Sequence, residues 1–318
     1  MRKYLLSTSA LAGAALLSSA AIADLSITGS VEFEYSDSDS NIAANDKKAM
    51  ASTNEIYVDF TNKTDSGLTI SYGVDIDGDA GGLTDDNQLS ISGGFGKLVL
   101  GQTDGVSDSM AITAQGLIAE ESDGTATGGT VLKDSGATTT GNGDRVSYTL
   151  PAMGGLSAGI SFKEADEASV TEYGINYSME AGGTTITVGH TGSTQEVANA
   201  QDNDTTNTGV SVAMGALSVT ISNGTSEAAG EDNNGNGVGA KYTLGSGLTL
   251  AAATFKSEDD IDTGEEYSVN HYEAIYPIAS GLSAVVTVSD FDYEGGTSGN
   301  GGADENGTIT TLNIKASF

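Results

Sequence analysis

The chain has 318 residues, and its 44 Asp and Glu against 12 Lys and Arg give a formal charge of −32, which excludes a binder of nucleic-acid phosphates. Hydrophobic residues make up only 37%, too few for a bundle of membrane-spanning helices. The absence of Cys excludes a disulfide framework and thiolate metal ligation, and the only two imidazoles, His190 and His271, cannot build a His-rich metal centre.

The first element in chain order reads as a secretory signal. Arg2 and Lys3 form a charged start, Leu5 to Leu17 is a mixed apolar stretch, and Ala21-Ile22-Ala23 is an A-x-A cleavage site. The expectation is a signal peptide over 1–23 and one β-barrel domain over 24–318. Its removal takes away two cations and no acids, leaving 44 acids, 10 bases and a charge of −34. No later stretch reaches the roughly 18 apolar residues of a spanning helix, so any membrane spanning must use strands.

Beyond Asp24, runs of roughly ten residues alternate apolar with polar or small residues and then turn. The first places Leu25, Ile27, Val31, Phe33 and Tyr35 on one face and Glu32 and Glu34 on the other. In the second, Ile56, Val58 and Phe60 oppose Glu55 and Asp59; in the third, Leu68, Ile70, Tyr72, Val74 and Ile76 oppose Asp75 and Asp77. Such alternation means a strand with one apolar and one polar face. Further runs fall near 86–93, 96–102, 144–150, 155–163, 170–179, 184–191, 207–214, 216–223, 237–245, 247–256, 267–278, 281–291 and 307–318, sixteen in all. Short Gly-rich turns alternate with longer polar loops, the longest over 103–143, which describes an up-and-down meander.

The mid-strand carboxylates decide what closes this meander. A soluble barrel of this size would have to pack Glu32, Glu34, Glu55, Asp59 and Asp75 into its core, whereas a water-filled lumen takes them at little cost. The spacing therefore predicts an all-β fold, a 16-stranded antiparallel transmembrane β-barrel. Tyr35, Tyr72, Tyr148, Tyr242 and Tyr276 fall on the outward face as an interfacial girdle.

Leu312, Ile314, Ala316 and Phe318 alternate to the last residue, and this run resembles the C-terminal strand by which outer-membrane barrels are recognised for assembly. The stretch Gly96-Lys97-Leu98-Val99-Leu100-Gly101-Gln102-Thr103-Asp104-Gly105 resembles the strand leading into loop 3 of Gram-negative general porins, above all alphaproteobacterial ones. The resemblance implies that the 103–143 connection is an inward-folded loop 3, forming a constriction with Asp104, Asp108, Glu120, Glu121 and Asp123. Strand parity turns Lys97, Arg145, Lys163, Lys241 and Lys315 toward the lumen with the acids above. The sequence departs from the porin pattern here, because Arg145 is the sole arginine after residue 23 and the usual arginine cluster is missing. An acidic lumen favours cations, so a weakly cation-selective channel for passive diffusion of small hydrophilic solutes and ions is expected.

Such a channel needs no cofactor; a structural Ca2+ at Asp77, Asp79, Asp85 and Asp86 is the candidate metal site. That stretch is not an EF-hand, since Ala80 stands at position six and Asp86 at position twelve. With no nucleophile elbow, H-E-x-x-H or Walker A motif, the chain reads as no enzyme. The resemblance implies a homotrimer in the outer membrane of a Gram-negative bacterium, in contact with lipid and lipopolysaccharide and handed to the barrel-assembly machinery through the strand ending in Phe318. Two other readings compete. A substrate-specific outer-membrane channel would want a ladder of lumen aromatics or basics, and a secreted acidic calcium-binding or adhesin β-protein would leave Phe318 unexplained.

Overall fold

A computed structural model describes residues 24–78, 87–120, 132–133, 143–165, 168–197, 201–229, 231–261, 264–295 and 303–318; the expected signal segment 1–23 lies outside them. The described residues form sixteen strands: β1 (Asp24–Ser40), β2 (Lys47–Lys63), β3 (Thr69–Asp77), β4 (Asn87–Gly93), β5 (Gly96–Thr103), β6 (Gly143–Thr149), β7 (Leu156–Ala165) and β8 (Ala168–Ala181) make the first half. The second half is β9 (Thr184–Val197), β10 (Asn203–Met214), β11 (Leu217–Ala228), β12 (Glu231–Thr243), β13 (Thr249–Asp259), β14 (Glu265–Ala279), β15 (Leu282–Gly295) and β16 (Glu305–Ser317). Each strand pairs antiparallel with its chain neighbours, and β1 pairs with β16 to close the barrel. At that seam Phe318 N–H donates to the Gly29 carbonyl at 2.9 Å and Gly29 N–H donates back at 3.3 Å, carrying the ladder to the last residue.

The alternation sets the two faces. Leu25, Ile27, Phe33, Phe60, Ile160, Phe162, Tyr177, Ile221, Leu250 and Leu312 are large, apolar and exposed on the outer wall. Tyr72, Tyr242 and Tyr276 join them there. Among the described residues no helix is long and apolar enough to cross a membrane.

All sixteen runs read from the sequence are strands, but many extend further at the loop end than hydropathy indicates. β1 continues through Asp37 and Asp39, β13 through Lys256 and Glu258, and β15 through Asp290 and Asp292, all outward in register. A lipid-facing carboxylate there would be costly, so this end of the wall stands in water, where the apolar-out rule lapses. In β13–β16 it inverts. Phe255, Tyr267, Val269, Phe291, Tyr293 and Ile309 form a buried cluster on the inner face, with Leu132 packed on it. The wall is also uneven in height: β3, β4, β5 and β6 have 9, 7, 8 and 7 residues, against 17 in β1 and β2.

Two arginine substitutions test the assignment of faces. Val286→Arg, in the middle of the outer apolar row of β15, should cost about 2–4 kcal/mol in lipid. Thr28→Arg, on the inner face, should leave stability nearly unchanged. Urea titration of refolding into vesicles measures both, and equal penalties would contradict the assignment.

Candidate functional site

The candidate site is the inner face of the barrel together with the segment that follows β5. That segment holds a one-turn helix, α1 (Val106–Ser109), and a 3-10 turn over Gln115–Leu117. It starts at a buried ion pair. Arg145 Nη1 donates to Glu172 Oε2 at 2.7 Å, with both side chains essentially inaccessible. The same carboxylate accepts from Ser161 Oγ at 2.5 Å and from Ser107 Oγ at 2.9 Å, and Ser161 Oγ accepts from Val106 N–H at 2.9 Å. A Cβ at Gly105 would collide with the Glu172 carboxylate, so glycine permits this approach. Isolating either charge by removing its partner would cost several kcal/mol, which makes the pair a firm anchor.

From there the segment meets successive strands in chain order. Asn176 Nδ2 of β8 donates to Met110 O at 3.0 Å, and Asn207 of β10 brackets Ile112, accepting its N–H at 3.2 Å and donating to its carbonyl at 3.4 Å. Ala114 N–H donates to Ser222 Oγ of β11 at 2.9 Å. Ile118 packs on Ala251 and Ala253 of β13. On β14, the Glu273 carboxylate accepts Ala119 N–H at 2.9 and 3.1 Å and Glu120 N–H at 2.9 Å. Finally Glu120 reaches Lys315 of β16 in a close ion pair. The wall is trimmed to receive this path. A Cβ at Gly174 or Gly237 would lie 2.9 Å from the Cβ of Met110 or Ala114, and one at Gly209 would overlap Ile112 O.

The acidic residues singled out in the sequence sort into three groups. On β1–β3, Glu32, Glu34, Glu55 and Asp75 are partly exposed and Asp59 is exposed. Ser30 Oγ donates to Glu55 at 3.3 Å, as does the Tyr57 hydroxyl in a closer contact. Asp104 and Asp108 are exposed on the segment, and Glu120 is partly buried. Glu121, Asp123, Asp79, Asp85 and Asp86 lie outside the described residues, so of the candidate calcium ligands only Asp77 is described, opposite Glu55 in the β2–β3 ladder.

The cations differ more from each other than parity implies. Arg145 faces inward yet is buried under the segment rather than open to the lumen, because Glu172 claims it. Lys163 is cross-strand from Arg145 and stands beside Gly143, where the long connection ends. Lys97 and Lys241 sit within a few residues of the short turns, next to Thr149 and Ala251 respectively. Lys315 lies opposite Glu32 and pairs with it at 3.1 Å. Glu172, Asn176, Asn207, Ser222 and Glu273 were not anticipated; the signal that could have found them is the glycines sharing their inward parity.

Comparison with known proteins bears on this barrel directly. The model of the Gram-negative porin family matches residues 7–296. No curated protein matches the sequence. Among solved structures, the anion-selective porin from Comamonas acidovorans shares 15% identity over 93% of this chain and 100% of that one, with a TM-score of 0.72. The trimer form of OmpT from Vibrio cholerae shares 14% over 93% and 99%, at 0.69. A mutant of Rh. blastica porin shares 14% over 93% and 100%, at 0.63. Such identities speak to fold, while the family match covers most of the sequence. The chain belongs to the Gram-negative porin family, and it is a multi-pass β-barrel channel protein of the outer membrane.

The ion pair at the start of the segment makes a testable claim. Arg145→Ala leaves Glu172 buried without its partner, at a cost of about 3–5 kcal/mol. Trypsin should then cut after Lys133 faster in the folded barrel than in wild type. Equal cleavage rates would show that the pair does not hold the segment.

Proposed function

We propose that the protein is a diffusion porin: a water-filled, weakly cation-selective channel that passes small hydrophilic solutes and ions down their gradients, working as a homotrimer. In this reading the 103–143 connection is the loop that narrows the lumen, and its described stretch, 103–120, lies along the inner wall. The contacts of Val106, Met110, Ile112, Ala114 and Ala119 with inward side chains of β7–β14 support that placement. The lumen wall left uncovered is then the side of β1–β5.

One observation carries the sign of the selectivity. That uncovered wall presents Glu32, Glu34, Glu55, Asp59 and Asp75, while the segment presents Asp104 and Asp108 and brings Glu120 beside Glu32 and Glu34. Acid therefore meets acid. The sole arginine of residues 24–318 is neutralised in its buried pair, so it contributes no opposing positive wall. A lumen with such an excess of negative charge concentrates cations and repels anions. Although a structural neighbour is named an anion-selective porin, this distribution of charge points the other way. Screening over a Debye length of ~8 Å at physiological salt keeps the preference modest in a wide pore. Passage of this kind requires neither a cofactor nor a reacting group. For the trimer, support comes from the low wall of β3–β6 and from the neighbour described as a trimer.

Planar-bilayer recording under a tenfold KCl gradient tests the proposal. Conductance should close in three steps, with a reversal potential of the sign set by K+. Asp108→Asn with Glu34→Gln should move that potential toward zero, and the wild-type preference should fade near 1 M salt, where the Debye length is ~3 Å. A chloride preference, or a folded barrel that does not conduct, would overturn it.

A further inference from the structure

We infer that Lys315 is the specificity-determining residue of the pore: a tethered cation that occupies the point where the lumen most strongly attracts permeating ones. The inference rests on the cation-preferring reading above and identifies the side chain that sets its strength. Its basis is a convergence of charge at the β1–β16 seam. Carboxylate oxygens of Glu32, Glu34 and Glu120 lie within 4.8 Å of one another. Two of these residues come from the first strand, and the third is delivered by the segment that follows β5, where it reaches β14 and β16.

The delivery is fixed on both sides. Glu273 takes the N–H groups of Ala119 and Glu120, and Thr287 Oγ1 donates to the same carboxylate at 3.2 Å, so the backbone at Glu120 is held against β14. On the other side, Glu32 and Lys315 face each other directly across the ladder, one step from the Glu34–Asn313 pair. Three carboxylates at this spacing repel one another unless a cation is shared among them. Lys315 supplies it, bound to Glu32 at 3.1 Å and closer to Glu120. Its side chain remains 35% accessible, so the ammonium sits at the edge of the lumen rather than in a sealed core.

The arithmetic of the cluster is three negative charges and one positive, which leaves attraction for a passing cation. The ammonium nonetheless fills the position where that cation would be held longest. Conduction requires sites that bind well enough to be entered and weakly enough to be left. A covalently tethered ammonium meets the second condition, since it competes at very high effective concentration and cannot be swept away. Without it, three carboxylates from two elements would offer hard oxygens at a spacing that a divalent cation can bridge.

The test is bilayer recording of the full-length, heat-modifiable barrel with KCl and with CaCl2 as the probe. Wild type should favour K+ and respond weakly to calcium. Lys315→Met should raise the K+ to Cl− permeability ratio several-fold, and CaCl2 at about 1 mM, the range of weak carboxylate sites, should at least halve its K+ current. Lys315→Arg, which keeps the charge, should behave as wild type. Adding Glu120→Gln to Lys315→Met should abolish the calcium block, and Glu120→Gln alone should lower the ratio, so the account remains testable if Lys315→Met folds poorly. A cation-preferring wild type with a Lys315→Met channel unchanged in ratio and calcium response would overturn the role of Lys315. A chloride-preferring wild type would overturn the porin selectivity itself, before any variant is read.

Discussion

In a bilayer every backbone N–H and C=O must find a partner within the protein, and for a sheet this means closure. The β1–β16 seam supplies that closure here, down to the hydrogen bonds between Gly29 and Phe318. Once the sheet is closed, the apolar residues of each strand must face lipid, and the remaining residues are enclosed. What those inner residues do is then the whole functional question, since an inner face must be either filled or wetted.

This barrel does both, on different sides. Along β7–β14 the inner face carries hydrogen-bonding side chains such as Asn176, Asn207 and Ser222, interleaved with Gly174, Gly209 and Gly237. Those glycines make room for a second layer of chain, and the polar groups satisfy its backbone. Along β1–β3 the inner face carries carboxylates and nothing comparable packs on it among the described residues. Charge follows the same division. The buried Arg145–Glu172 pair contributes to holding the segment, while the acids exposed to the lumen set its field.

The sequence made the lipid-facing part of this plan legible and hid much of the rest. Residues such as Ile56, Val58 and Phe60 must be apolar at every second position, so the sixteen strands could be counted. Above the lipid that constraint disappears, and β1 continues through Asp37 and Asp39 with no hydropathic trace. The inner cluster around Phe255, Tyr267 and Tyr293 escaped for the same reason, because there the apolar side is the inside. Parity turned Arg145 inward, yet parity carries no information about Glu172, whose position depends on a contact between β6 and β8 across β7. Parity turned Lys315 inward as well, but it carries no information about Glu120, which the segment brings to the ammonium. Inward glycines at Gly209 and Gly237 were visible all along, and a purely water-filled lumen gives them no purpose.

The central claim is that the conducting path runs along β1–β5 while the segment after β5 covers the opposite wall. Because the chain has no Cys, single cysteines report on it cleanly. The measurement is the change in single-channel current when a charged thiol reagent is added to Thr28→Cys, Asp59→Cys, Thr191→Cys and Thr220→Cys barrels. Thr28 and Asp59 are exposed, whereas Thr191 and Thr220 are inward and buried at 0% and 2%. Rapid, stepwise current changes at positions 28 and 59, with no reaction at 191 and 220, are the predicted result. Reaction at 191 and 220 with silence at 28 and 59 would place the water on the other side of the barrel and contradict the account.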